Sequence, residues 1–297
     1  MFFRFALAIF LFAALPAEAA PQVLATIKPV HSLVAAVMGD AGSPALLIGG
    51  SLLEHDFALS PVDARKIERA RLIFQIGPEF ESNLVRPLAG RNTKLVSLSR
   101  APGVRLLPAR KGELWDDDPA NQTDPHIWLD PENAIAMVRA IQAALSKADP
   151  SGAELYARNA AREVFLLMGL ENRMSALMAP LKGKPYIVFH DAYRYFESRF
   201  GLTPIGAVTT APDRPVGQRR MTDLRNAIDR QHVACIFREP QFSPSLIAPL
   251  TAGHHINLST LDPFGADLTP GPELYGLVME RLALSLRQCL AAPQKKA

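Results

Sequence analysis

Seven histidines are spread along the chain, and three of them stand where a metal ion could use them. His55 lies in a loop, Ser51 to Leu59, that follows an apolar strand. His126 sits in Asp124-Pro125-His126-Ile127-Trp128-Leu129-Asp130-Pro131, at the edge of a predicted short apolar strand over Ile127 to Leu129. His190 ends the strand Tyr186-Ile187-Val188-Phe189. In open α/β sheets ligands bind beyond the carboxyl ends of the strands, so imidazoles from three separate segments can meet in one cleft. Imidazole suits zinc, and three histidines with a carboxylate or water make a four-coordinate site. Glu54, beside His55 in an irregular loop, can supply a fourth, oxygen ligand. Asp262, in Leu261-Asp262-Pro263 after the last strand, is an alternative oxygen ligand or a helix cap. His31, His254 and His255 read as structural or surface residues, and His232 has no companion at metal-site spacing. The competing chemistry is a zinc hydrolase, with water in the fourth position and Glu54 as general base. The sequence has neither a His-Glu-x-x-His helix nor a Gly-x-Ser-x-Gly elbow, and nothing in it resembles a substrate-polarising group.

These residues need rigid supports. After His126, Asp130 is a good N-cap and Pro131 suits the first helical position. Ile135, Val138, Ile141 and Leu145 then recur at helical spacing. Ser60-Pro61-Val62-Asp63 carries the pattern of a capping box. Strands are predicted at Gln22 to Pro29, Ala45 to Ile48, Arg71 to Pro78 and Lys94 to Leu98, with a helix from Val30 to Met38. Short connections between them predict a parallel sheet in a first lobe, residues 20–150. From Ser151 to about Ala179 there is no proline, and Leu155, Val164, Leu167, Leu170, Met174 and Leu177 recur. Such a helix runs about 43 Å, long enough to join two lobes and resist hinge motion. This linking segment is residues 151–181, ended by Pro180 and Gly183. A second αβ series over residues 182–297 has strands at Tyr186 to Phe189, Thr203 to Val208, Val233 to Phe237 and Ile256 to Leu258. Its closing helix runs from Pro272 to Leu290. The fold class is therefore α/β, with two Rossmann-like lobes of parallel sheet joined by one long rigid helix. The acidic stretch Leu107 to Asp124 shows no periodicity and reads as a mobile, solvated surface loop, with weak cation collection as its alternative role.

The first residues are an export signal, residues 1–19. Arg4 supplies the positive charge, Phe5 to Leu15 the apolar run, and Ala17-Glu18-Ala19 a small-x-small cleavage site. That run is too short for ~30 Å of hydrocarbon, so the chain is expected not to be membrane-embedded. No cysteine near the cleavage site could take a lipid anchor. The net charge is only +3, and the basic residues are scattered, which excludes a nucleic-acid surface. Cys235 and Cys289 are the only cysteines. In an exported chain an isolated pair usually forms a bridge, with two buried thiols as the alternative. Closing a loop of that size restricts the unfolded chain by about 4 kcal/mol.

At these positions the sequence resembles the zinc-specific solute-binding proteins of ABC uptake transporters, the ZnuA type. The resemblance covers nearly the whole chain after the signal segment. It rests on Ile27-Lys28-Pro29, Glu54-His55-Asp56, Ile76-Gly77-Pro78, His126-Ile127-Trp128-Leu129, Phe189-His190-Asp191-Ala192-Tyr193, Glu239-Pro240-Gln241-Phe242, Leu261-Asp262-Pro263 and both cysteines. It implies two lobes with Zn²⁺ held in the cleft between them by His55, His126 and His190. Glu54 is then a fourth ligand or a lid, and Cys235 is bridged to Cys289. It further implies a periplasmic monomer, not an enzyme, that hands zinc to an inner-membrane ABC permease with a cytoplasmic ATPase. The manganese- or iron-binding branch of the same superfamily is the nearest alternative, but a nitrogen-rich site favours zinc over oxygen-seeking manganese. An adhesin is a further reading, which the lack of a lipid-anchoring cysteine disfavours. Many zinc-specific relatives carry a histidine-rich insertion before the His126 motif, whereas this chain has the short acidic stretch instead.

Overall fold

Alternating short strands and helices build two four-stranded sheets, seen in a computed structural model that describes residues 21–49, 59–81, 93–115, 123–209, 216–254 and 256–293. The first sheet contains β1 (Val23–Ala25), β2 (Ala45–Leu46), β3 (Leu72–Gln75) and β4 (Lys94–Ser97), in the order β2-β1-β3-β4. The second contains β5 (Tyr186–His190), β6 (Gly206–Thr209), β7 (Cys235–Arg238) and β8 (Asn257–Thr260), in the order β6-β5-β7-β8. Every pairing is parallel. The two sheets thus repeat one topology, and in each the chain reverses its direction of growth beside the first strand. The crevices of the sheets are therefore the carboxyl ends of β1 and β3, and of β5 and β7.

The helices are α1 (Lys28–Met38), α2 (Pro61–Arg69), α3 (Pro131–Ala148), α4 (Ala153–Met178), α5 (Arg194–Phe200), α6 (Gln218–Gln231), α7 (Ala248–Thr251) and α8 (Leu274–Ala291). Their starts follow the local sequence. The Ser60 hydroxyl accepts from the backbone of Asp63, whose carboxylate accepts from the backbone of Ser60, a complete capping box. Asp130 caps α3 by accepting from Glu132 N, and Arg199 donates to both of its oxygens. The linking helix α4 has 26 residues, with 3-10 turns at Pro150–Gly152 and Ala179–Leu181. It packs against α1, α3 and α8, so one apolar core runs continuously through both sheets.

In β5 the side chains alternate. Tyr186 and Val188 join that common core, while Ile187 and Phe189 join a second cluster with Leu224, Ile228, Ile247 and Leu250 under α6 and α7. The disulfide Cys235–Cys289 pins α8 to β7. Further ties cross from the first lobe to the loop after β8. Lys28 Nζ donates to the carbonyls of Gly265, Ala266 and Leu268, and Trp128 Nε1 donates to Pro263 O. Among the described residues no helix is long and apolar enough to cross a membrane.

Several elements differ from the sequence expectation. Ile127 to Leu129 is a 3-10 turn, not a strand; Leu129 N and Asp130 N donate back to His126 O and Ile127 O, so these backbone groups are satisfied within the turn instead of in a sheet. The first strand ends at Ala25, and Lys28 and Pro29 belong to α1, with Pro29 in its first turn, where its missing N–H costs nothing. The strand expected at Thr203 begins only at Gly206 and runs to Thr209. The part of the acidic stretch that is described is not a free surface loop. Leu107 is buried, Asp124 N donates to Leu107 O, and Pro108 bridges to Thr123.

Candidate metal centre

His190 is the last residue of β5, at the crevice of the second sheet. Across that crevice, Glu239 follows β7. The buried Glu239 carboxylate accepts from the Tyr193 hydroxyl at 2.9 Å and lies 3.8 Å from His190 Nδ1. Burial and the neighbouring Glu239 hold the Tyr193 hydroxyl well above its ordinary range, so it stays protonated and donates. His126 is brought to the same place by the 3-10 turn it caps. Asp124 Oδ1 accepts from His126 N and faces His126 Nδ1, each at 2.9 Å. The His126 ring is walled by Phe80 and Trp128, with centroids at 5.9 and 5.3 Å.

The centroids of the His126 and His190 rings lie 5.0 Å apart. Two imidazoles that share one ion at ~2.0–2.1 Å and a tetrahedral angle set their centroids about 5 Å apart. Both rings turn Nδ1 towards a buried carboxylate, which in metal sites fixes the tautomer and leaves Nε2 as the ligating nitrogen. Each is at least nine-tenths buried, at 2% and 5% exposure. The pair is thus held in dry surroundings, at a separation suited to one ion.

The other candidate ligands are placed differently. His55 and Glu54 lie outside the described residues. Asp262 is turned to the backbone: Oδ1 accepts from Phe264 N and Gly265 N, and Oδ2 from Ala266 N. Gln241 Nε2 donates to the same carboxylate. Among the described residues, no group of three or more His, Cys, Asp or Glu side chains is gathered to hold a metal. His31 Nε2 lies 3.0 Å from Pro44 O beneath the first sheet, and burial holds its imidazole below the ordinary range. His254 pairs with Asp229 on the surface of the second lobe, and His232 ends α6 in the left-handed conformation. His255 lies outside the described residues.

The supporting groups were not singled out in the sequence. Asp124 stands two residues before His126, within its motif, and its acceptor role could have been read from that spacing. Glu239 stands two residues beyond the predicted strand Val233 to Phe237 and directly after the observed β7, and it appeared in the sequence only inside a motif, with no role given to it. Glu81 fills the crevice of the first sheet. Its carboxylate accepts from the Thr26 hydroxyl, Ile76 N and Gly77 N, and burial pushes its pKa up to about 7 against these donors. Arg110 and Glu197 carried no sequence signal at all.

The family model described as "Zinc-uptake complex component A periplasmic" matches residues 23–289. The chain belongs to the ZnuA family. It is similar to the high-affinity zinc uptake system protein ZnuA of Brucella suis biovar 1, with 35% identity over 91% of each chain. The protein of the same description from Paracoccus denitrificans is 32% identical, covering 94% of this chain and 95% of its own. Among solved structures, a crystal structure of ZnuA superposes with a TM-score of 0.80 at 23% identity, over 91% of this chain and 99% of that one. Pseudomonas aeruginosa FpvC in complex with Mn²⁺ also reaches 0.80, at 20% identity, over 92% and 99%. At those identities the two structures establish the shared two-lobed fold. A ZnuA structure and the Mn²⁺-bound FpvC thus share this fold.

Proposed function

We propose that this ZnuA-family chain captures Zn²⁺ in the periplasm and delivers it to an inner-membrane ABC permease driven by a cytoplasmic ATPase. His126, His190 and His55 are the ligands of this reading, with Glu54 as the fourth. It works as a monomer, exported by its first 19 residues, and does no chemistry on the ion. The observation that carries the reading is the pair of buried imidazoles 5.0 Å apart, each with Nδ1 facing a buried carboxylate. A nitrogen-rich set favours zinc over manganese. The ties from Lys28 and Trp128 to the loop after β8, together with α4, favour release by small local adjustment over wide opening of the lobes.

Metal analysis of the protein purified from the periplasm, beside its His190→Ala variant, tests this. The reading expects one zinc per chain in the parent and loss of zinc in the variant. Manganese or iron in the parent, or zinc retained at full occupancy by the variant, contradicts it.

A further inference from the structure

The stretch from Arg105 to Trp115 belongs in chain order to the first lobe, yet it is fastened to the second. Leu107 N donates to the Tyr195 hydroxyl, which donates in turn to Asp124 O. Further along, Leu114 O accepts from Ala207 N of β6 and from Arg220 Nη2. Arg220 Nη1 donates to Trp115 O, and its Nη2 also donates to Ala207 O. Gly206 makes room for this contact: a Cβ there would come within 2.7 Å of Leu114 Cβ and 3.0 Å of Leu114 O. The stretch is therefore a strap that ties the first lobe to the second.

Arg110 is the centre of the strap. Its Nη1 donates to Asp191 at 2.7 Å and its Nη2 to Glu197 at 2.6 Å, while Trp115 stacks on the guanidinium 4.4 Å away. Asp191 directly follows His190. Glu197 is 1% exposed and also accepts from the Tyr186 hydroxyl at the start of β5. The two carboxylates thus belong to the far end of the strand that carries His190 and to the helix packed beside it. The strap's other end, through Leu107 and Asp124, reaches the turn that carries His126. One guanidinium with two donor edges suits this double grip, and a lysine ammonium does not.

We propose that Arg110 is a positioning residue of the metal cleft: gripping Asp191 and Glu197, it fixes the turn of His190 relative to the turn of His126. The role rests on the zinc-binding reading above. It requires no contact between Arg110 and the ion.

The test compares the full-length wild type with Arg110→Met, Arg110→Lys and the triple variant Arg110→Met/Asp191→Asn/Glu197→Gln. The triple variant removes the cation without leaving bare buried carboxylates, so it keeps the test valid if the single variant does not fold. Zinc affinity is measured by competition with a chelator, and cleft geometry by the visible absorption of bound Co²⁺. The expected result is a loss of about 10- to 100-fold in zinc affinity, the usual effect of removing a supporting group. An altered Co²⁺ spectrum should accompany it in Arg110→Met and in the triple variant, with partial rescue by Arg110→Lys. Wild-type affinity and an unchanged spectrum in folded Arg110→Met or in the triple variant overturn the role of Arg110 while leaving the zinc reading intact. A wild type that binds no zinc overturns both.

Discussion

Glu81 offers a perturbation whose size follows directly from its surroundings. It is fully buried at the crevice of the first sheet, and its pKa is raised to about 7 from an ordinary 4.5. The folded state therefore holds this proton to higher pH than the unfolded state does. Stability from this group is complete below pH 4.5 and is lost as pH rises through about 7, because ionisation then favours unfolding. A difference of that size corresponds to about 3 kcal/mol. Glu81→Gln removes the titration while keeping the shape of the side chain. Its amide can take the place of the protonated acid towards Thr26, but its NH₂ gives Ile76 N or Gly77 N no lone pair, a lost bond of about 1 kcal/mol. The assay is urea unfolding of zinc-free parent and variant from pH 4.5 to 8, read as the difference between them so that other groups cancel. The variant should be the less stable protein at pH 4.5, and the difference should move in its favour by about 3 kcal/mol across the range. A difference that stays constant within ~0.5 kcal/mol refutes the reasoning, since this is the scatter expected of unrelated effects.

Asp124→Ala removes the acceptor that orients His126 and should weaken zinc binding about 10- to 100-fold in a chelator competition, with the fold intact by circular dichroism; an unchanged affinity would mean that the turn alone sets the ring. Asp262→Ala should leave zinc affinity within about twofold while lowering stability by about 1–3 kcal/mol, because three backbone N–H groups lose their acceptor. A large loss of affinity in Asp262→Ala would instead make this carboxylate a metal ligand.

Local rules reached far into this molecule where one short stretch decides the structure. The capping box at Ser60 and Asp63 and the Asp130 cap with Pro131 are formed as the residues suggest, because each needs only neighbours within one turn. The Cys235–Cys289 bridge follows from there being one possible pair. The alternating faces of β5, and His190 at its end, follow from a strand bounded by clear stops. The Ile127 to Leu129 turn did not, since three apolar residues fit a strand and a helical turn equally well. The strap escaped detection for a different reason. Its hold on the second lobe runs through backbone groups of Leu107, Leu114 and Trp115 and the Arg110 guanidinium, and backbone groups leave no mark on sequence periodicity. For the centre itself, the sequence placed His126 and His190 in separate segments, and the structure brings the two rings together. The carboxylates behind them, Asp124 and Glu239, lay inside sequence motifs but carried no role there.

The central claim is that imidazoles from distant segments share one zinc ion in the cleft. X-ray absorption at the zinc edge, on protein loaded with one equivalent, tests it most directly. The account predicts a first shell at ~2.0–2.1 Å carrying the outer-shell scattering of three imidazole rings. A shell of sulfur at about 2.3 Å, or of oxygen alone with no imidazole scattering, would contradict it.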